Sequence, residues 1–206
     1  MPPPPRPRRS SRPPRSPGAR LTGGEAAGRR LQTEAGSDLR ATTGVARAAC
    51  FNILGELVQE ARVVDLFAGA GSLGLEALSR GAPWATFVEV SRHRAKLIEA
   101  NLETLGWAAR AEVVVGDAIA WLNRRSPQLA GSRLILLDPP YREGGPQLCL
   151  KALQLLGEVV AAGDWDPLVV AEHHRDLSVP PVVGALNCVR TARYGTTVLS
   201  FFRRPP

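Results

Sequence analysis

From Arg62 onward, short apolar runs alternate with stretches of helical period. "RVVDLF", "WATFVEV", "AEVVV", "RLILLD" and "PLVVAE" are continuously apolar over only a few residues, the pattern of strands buried on both faces. Between them lie the helices. "SLGLEALSRG" closes at Gly81, and "SRHRAKLIEANLETLG" carries Ser91 as its cap and Gly106 as its stop. "AIAWLNRR" is a short helix, and "PQLCLKALQLLGEVVA" starts near Pro146. The closing "LNCVRTARYGTTVLSFFRR" reads as two extended runs turned at Tyr194-Gly195, an antiparallel hairpin. Upstream, "TGVARAACFNILGELVQEA" predicts one helix capped by Thr43, with Val45, Ala49, Ile53 and Leu57 beside Cys50, Leu54 and Val58 on one face. "RLTGGEAAGRRLQTE" predicts a short hairpin or extended segment turned at its glycines. Repeated strand-then-helix units predict an α/β fold: a doubly wound, mostly parallel, Rossmann-like sheet of seven strands with a C-terminal antiparallel hairpin.

Composition narrows this picture. The 206 residues, 44% of them hydrophobic, suffice for one domain with a sizeable core. The cysteines Cys50, Cys149 and Cys188 are far apart and in no metal spacing, which suits reduced thiols in a cytosolic protein without a structural metal. No apolar run approaches a membrane span. The net charge of +7 is concentrated at the start: Arg6, Arg8, Arg9, Arg12, Arg15 and Arg20 precede the first acid, and without them 20 basic residues face 19 acidic ones. "MPPPPRPRRSSRPPRSPGAR" is too poor in apolar residues to fold, so residues 1–20 are expected to form a disordered tail. That tail is either inert or a basic arm that adds affinity for RNA without sequence choice. Its arginine- and serine-rich composition also suits an organelle address, although its prolines oppose the amphipathic helix such an address needs. Residues 21–206 then form a single domain, with 21–60 as an N-terminal extension.

In a parallel sheet the ligand lies at the carboxyl ends of the strands, so those ends carry the chemistry. "DLFAGAGSLG" puts Gly69, Gly71 and Gly74 in G-x-G-x-x-G spacing between a strand and a helix, where glycines let the backbone approach a ligand. Alone this also fits a bare strand-to-helix turn. Glu89 ends the second strand twenty positions after Gly69, placed to accept from both hydroxyls of a ribose, and equally compatible with NAD. Asp117 ends the third, where it could accept from the amine of an adenine. Three acids at consecutive strand ends, embedded in apolar runs, point to a ribose-and-adenine ligand without an obligatory diphosphate.

"LLDPPY" separates the readings. Pro139 and Pro140 end the strand and fix the backbone around Asp138. A rigid turn with one carboxylate and one ring has no use in hydride transfer. It suits methylation of an aromatic amine, whose lone pair is delocalised into its ring. A carboxylate and a carbonyl accepting the two N–H bonds would draw that lone pair out and stabilise the positive charge that develops on nitrogen. Tyr141 would stack on the base.

With these residues the chain resembles the class I S-adenosylmethionine-dependent methyltransferases, and more closely the bacterial RsmD family, which methylates the exocyclic amine of a guanine in small-subunit ribosomal RNA. The resemblance runs from about Leu21 to Arg204, through "DLFAGAGSLGLEALSRGA", "FVEV", "NLETLG", "GDA", "LLDPPY", "VVAEHH" and "RYGTTVLSFF" in the expected order. It implies an enzyme using S-adenosylmethionine, with Asp65, Phe67, Gly69, Gly71, Glu89, Asp117, Ala118 and Thr43 at the cofactor. Asp138, Pro139, Pro140 and Tyr141 would hold the guanine, and Arg40, Arg47 and Arg142 would meet the RNA. No metal is implied. The partner is small-subunit ribosomal RNA or the assembling subunit, and the implied protein is a cytoplasmic monomer with no membrane association. "RATTGVARAACFNIL" departs from the family's usual Arg-Pro-Thr-Thr-Asp-Arg-Val-Arg-Glu: Ala41, Gly44, Val45 and Ala48 replace a proline, an aspartate, an arginine and a glutamate.

A DNA adenine methyltransferase shares the amine chemistry but generally carries a further segment for reading DNA sequence, for which no stretch remains here. A cofactor-binding RNA-binding protein without turnover would not require the amine clamp. His93 reads as a solvated helix residue; His173 and His174 could line the cleft without catalytic work. Trp84, Trp107, Trp121 and Trp165 read as packing residues.

Overall fold

The computed structural model describes residues 19–34, 44–124, 127–140 and 144–205. Eight strands form one sheet: β1 (Arg62–Leu66), β2 (Trp84–Glu89), β3 (Ala111–Val115), β4 (Leu134–Leu137), β5 (Leu168–His174), β6 (Val182–Val183), β7 (Leu186–Tyr194) and β8 (Thr197–Arg203), in the order β3-β2-β1-β4-β5-β8-β7-β6. The first five are parallel, and β8 joins β5 antiparallel, as does β7 to β8. The mostly parallel α/β sheet and the hairpin are as the sequence predicts. The eighth strand is an addition: two residues of β6 pair with Leu186 and Asn187, too short to leave a pattern in the sequence. The strand order reverses between β1 and β4, which places the ligand crevice beside those two strand ends.

Helices α1 (Gly44–Leu54), α2 (Leu57–Glu60), α3 (Ser72–Ser79), α4 (Arg92–Leu105), α5 (Ala118–Asn123), α6 (Pro127–Ala130) and α7 (Gly145–Ala161) cover the sheet. Two apolar cores result. Phe51, Leu75, Phe87, Ile98 and Phe201 fill one face, and Leu66, Trp121, Ile135, Leu153 and Phe202 the other. Helix α4 begins and ends as expected, Ser91 accepting from the Arg94 N–H at 3.4 Å and Gly106 closing it at φ 76°. The single helix expected from Thr43 is instead two, because Gly55 adopts φ 56° and breaks it. Cys50, Leu54 and Val58 are buried as expected, together with Ala46 and Phe51, but Val45 is 66% exposed. The capping residue proposed for it, Thr43, lies outside the described residues.

The N-terminal segment is a brace. Residues 19–31 fold back on themselves through Leu21 N–H to Arg29 O and Leu31 N–H to Ala19 O, burying Leu21 and Leu31. Ser79 at the end of α3 fastens its turn, donating to Gly23 O and accepting from Ala26 N–H, while Gln32 and Asn101 exchange two hydrogen bonds across α4. A buried ion cluster completes it. Glu76, fully buried, accepts from Thr22 N–H at 2.8 Å, Thr22 Oγ1 at 2.6 Å, Arg47 Nε at 3.2 Å and Arg80 Nε at 2.8 Å. Arg47 also donates to Arg20 O. Burying a carboxylate is tolerable only with this density of partners.

Candidate active site

β1 runs into a turn of unusual backbone. Phe67 holds φ 62°, a region a side chain enters only under constraint, followed by Gly69 at φ 58° and Gly71 at φ 80°. A side chain at Gly69 would meet nothing, so the turn opens onto free space. Gly74 serves packing instead, since a Cβ there would lie 2.3 Å from the Phe87 ring; glycine lets α3 seat on β2.

The strand-end carboxylates share one face. Asp65 is in register with Phe87 and Leu136, and Glu89 and Asp138 lie one pleat further out on the neighbouring strands. Continuing the β4–β5 register past Leu137–Ala171 sets Asp138 beside Glu172. Glu89, Asp65, Asp138 and Glu172 therefore form a row across β2, β1, β4 and β5, on the side of the Phe51–Phe87 core.

Each member is differently employed. Glu89 Oε2 accepts from Gly69 N–H at 2.7 Å and Oε1 from Ser91 N–H at 2.9 Å, which fixes the carboxylate and leaves lone pairs for further donors. Asp65 Oδ2 accepts from Gly74 N–H at 2.8 Å, whereas its buried Oδ1 has no partner among the described residues. Burial raises the Asp65 pKa to about 7, against the Gly74 hydrogen bond and with a further push from Glu89. Burial, then the Glu172 and Asp65 carboxylates, hold Asp138 well above the usual range. Pro139 is buried, and a Cβ on Gly145 would overlap the Pro140 carbonyl, so the turn lies directly against the start of α7.

Asp117 and Ala118 follow β3. Asp117 caps α5, its Oδ1 accepting from Ala120 N–H at 2.7 Å, and Ala118 is buried beneath it. The strand end so identified is therefore also a helix cap. Arg47, expected at the RNA, is buried and committed to Glu76 and Arg20; this corrects that assignment, because its guanidinium is already spent inside the fold on that ion pair and that carbonyl. Arg40, Thr43, Tyr141 and Arg142 lie outside the described residues. Two residues went unnoticed in the sequence. Val90, next to Glu89, is 67% exposed at the crevice edge, detectable as an apolar residue just before a serine cap. Glu172 is 2% exposed inside "VVAEHH", which reads as the end of an apolar run.

His173 is buried, its ring nitrogens at 3.0 Å from His174 O and Ser200 Oγ, and burial lowers its pKa. It is a neutral packing residue. Burial likewise raises the Cys50 thiol, and then Glu172 raises it further. Among the described residues no group of histidine, cysteine and carboxylate side chains could hold a metal, and no helix is long and apolar enough to cross a membrane. Trp107 and Trp121 are buried, and Trp165 donates to Ser132 O.

Residues 19–203 match a family model described as conserved hypothetical protein 95. YlbH of Bacillus subtilis, provisionally named an rRNA methyltransferase, is 36% identical over 185 residues, 90% of this chain and 98% of that protein. Ribosomal RNA small subunit methyltransferase D of Escherichia coli K12 is 38% identical over 125 residues, 61% of each chain. Among solved structures, YhhF of Escherichia coli, provisionally named a methyltransferase, superposes with a TM-score of 0.72 at 31% identity, covering 90% of this chain and 97% of that one. Matched along nearly its whole folded length, the chain belongs to the conserved hypothetical protein 95 family, the RsmD family.

Proposed function

We propose that the chain transfers a methyl group from S-adenosylmethionine to the exocyclic amine of a guanine in small-subunit ribosomal RNA. The observation that carries this is the placement of Asp138, on its proline turn, in one row with Asp65 and Glu89 at the β1/β4 crevice. The named relatives support the RNA substrate.

The residues fit the cofactor. Asp65 Oδ1, buried without a described partner, is the acceptor a cationic amine requires. Glu89, held by Gly69 and Ser91, presents its remaining lone pairs to ribose hydroxyls. Val90 and Ala118 offer apolar walls to a purine ring, and the free space over Gly69 admits the rest. When bound, S-adenosylmethionine supplies a methyl group made electrophilic by its sulfonium.

Asp138 and the Pro139 carbonyl each accept one N–H of the guanine amine, drawing its lone pair out of conjugation with the ring. Asp138 stabilises the positive charge that grows on nitrogen as the N–C bond forms and the C–S bond breaks. The product ammonium then loses one proton to water. Tyr141 stacks on the base, and Arg40 and Arg142 contact the RNA backbone, in the cytoplasm where that RNA is assembled.

The test is methyl transfer from radiolabelled cofactor to unmodified small-subunit RNA, reconstituted small subunits and duplex DNA, with Asp138→Ala alongside. Labelled methylguanine in RNA or subunits, absent with the variant, is the expected result. Methyladenine in DNA would overturn the substrate, and cofactor binding without transfer would overturn the activity.

A further inference from the structure

Glu172 is a buried carboxylate for which the transfer just described has no use. Enclosing a carboxylate is costly, and such groups are retained where a site needs them. Its position is specific. The parallel register sets it beside Asp138, both side chains project to the same face, and the two strands lie about 4.8 Å apart. A consequence of that proximity is seen at Asp138, whose pKa rises most from burial and next from Glu172.

The Asp-Pro-Pro turn offers acceptors to an exocyclic amine. That feature is shared by guanine and adenine, so the turn cannot tell them apart. The next atom along the base edge can. In guanine the ring nitrogen adjacent to the amine, N1, carries a proton, whereas in adenine the corresponding nitrogen is a bare lone pair. A carboxylate oxygen next to the amine acceptor meets the first as a hydrogen-bond acceptor and the second with lone-pair repulsion.

We infer that Glu172 is the residue that selects guanine over adenine in this site, by accepting the N1–H of the target base while Asp138 accepts from its amine. This rests on the amine-methylation reading above. The base lies with its amine at β4 and its N1 toward β5, so its Watson–Crick edge runs along the row of carboxylates. Reading a flipped base by that edge is the general solution for enzymes that act on bases.

The experiment uses the substrate that the wild-type protein methylates, RNA or reconstituted subunit, carrying either guanine or 2-aminopurine at the methylated position. 2-Aminopurine keeps the amine but lacks the N1 proton and the O6 atom. The loss of O6 is common to every enzyme variant, so the guanine-to-2-aminopurine ratio of kcat/KM, compared between wild type and Glu172→Gln, isolates N1. The amide that this substitution introduces can turn either an acceptor or a donor toward N1. The wild type is expected to favour guanine, and Glu172→Gln to shrink that preference about 10- to 100-fold, the worth of one buried hydrogen bond. Cofactor Kd should stay unchanged.

Equal rates on the two bases by the wild-type protein would overturn the inference without any variant. So would an unchanged ratio in Glu172→Gln, or loss of cofactor binding together with transfer, which would make Glu172 structural. Transfer that depends on Asp138 but keeps its base ratio in Glu172→Gln removes this inference alone; transfer indifferent to Asp138→Ala removes the amine clamp and this inference together.

Discussion

Asp65 is expected to weaken the protein above neutral pH. Its pKa rises from 3.8 in an open chain to about 7 in the fold, chiefly through burial. Between those values the folded protein keeps a proton that the unfolded chain has lost. The contribution of Asp65 to stability is thus full below about pH 4, declines as pH rises toward 7, and is flat above it. At 1.36 kcal/mol per pKa unit, the ionised side chain costs up to about 4 kcal/mol, of which about 2 kcal/mol remains after relaxation of the surrounding crevice. Asp65→Asn keeps an acceptor for Gly74 N–H and puts a neutral amide at the unpartnered position. The variant should be more stable than wild type by about 2 kcal/mol at pH 8, a Tm gain of about 4–8 °C for a chain of this size, with the gain shrinking as pH falls and vanishing below about pH 4. Thermal or urea unfolding at both pH values reads it. Calorimetric titration with S-adenosylmethionine should show at least about 10-fold weaker binding, because the charge serves the cofactor's amine. A less stable Asp65→Asn at pH 8, or a difference that ignores pH, would refute this reasoning.

Three other outcomes follow from the geometry. Glu76→Ala leaves Arg47 buried without its ion pair and should cost about 3–5 kcal/mol in urea unfolding; a change under about 1 kcal/mol would show that the cluster is not enclosed. Gly145→Ala forces the Pro140 carbonyl to move, so kcat should fall at least about 10-fold while cofactor Kd holds; unaltered turnover would mean the turn tolerates displacement. The thirty residues after Asp176 hold four arginines and no acid, and Arg193 is exposed on β7 in line with His173 on β5, near the carboxyl edge. Arg193→Glu should raise KM for RNA and lower the salt slope of binding by about 1, unlike Arg203→Glu at the opposite end of the sheet.

The strand ends were legible because a parallel sheet covered on both faces needs uninterrupted apolar runs, and a carboxylate that ends such a run stands out. Glu89 and Asp138 were found this way, whereas Asp65, which lies inside its run, came only with the family resemblance. Local chemistry also sufficed for Ser91 and Gly106. Arg47 was misread because its partner, Glu76, is 29 residues away inside a helix whose other residues read as apolar. Val45 was misplaced because helical periodicity was carried through Gly55, where the backbone turns. Glu172 passed unnoticed because its neighbour Asp138 is on a different strand, and only the register reveals the pair. Asp117 could be assigned to a ligand from its strand-end position, but not to capping α5, which depends on where that helix begins.

The brace also bears on how the chain is made. Leu21, Thr22 and Gln32 leave the ribosome early, yet their partners Glu76 and Asn101 lie 54 and 69 positions later. Closing loops of that length is slow relative to forming a helix. The N-terminal segment must therefore wait, with its leucines exposed, until β1, α3, β2 and α4 have been synthesised and have begun to pack. Its docking reports that the first half of the sheet is in place. A chain stalled before Asn101 would display an unpaired, leucine-bearing start with nowhere to bury it, a form suited to recognition by chaperones.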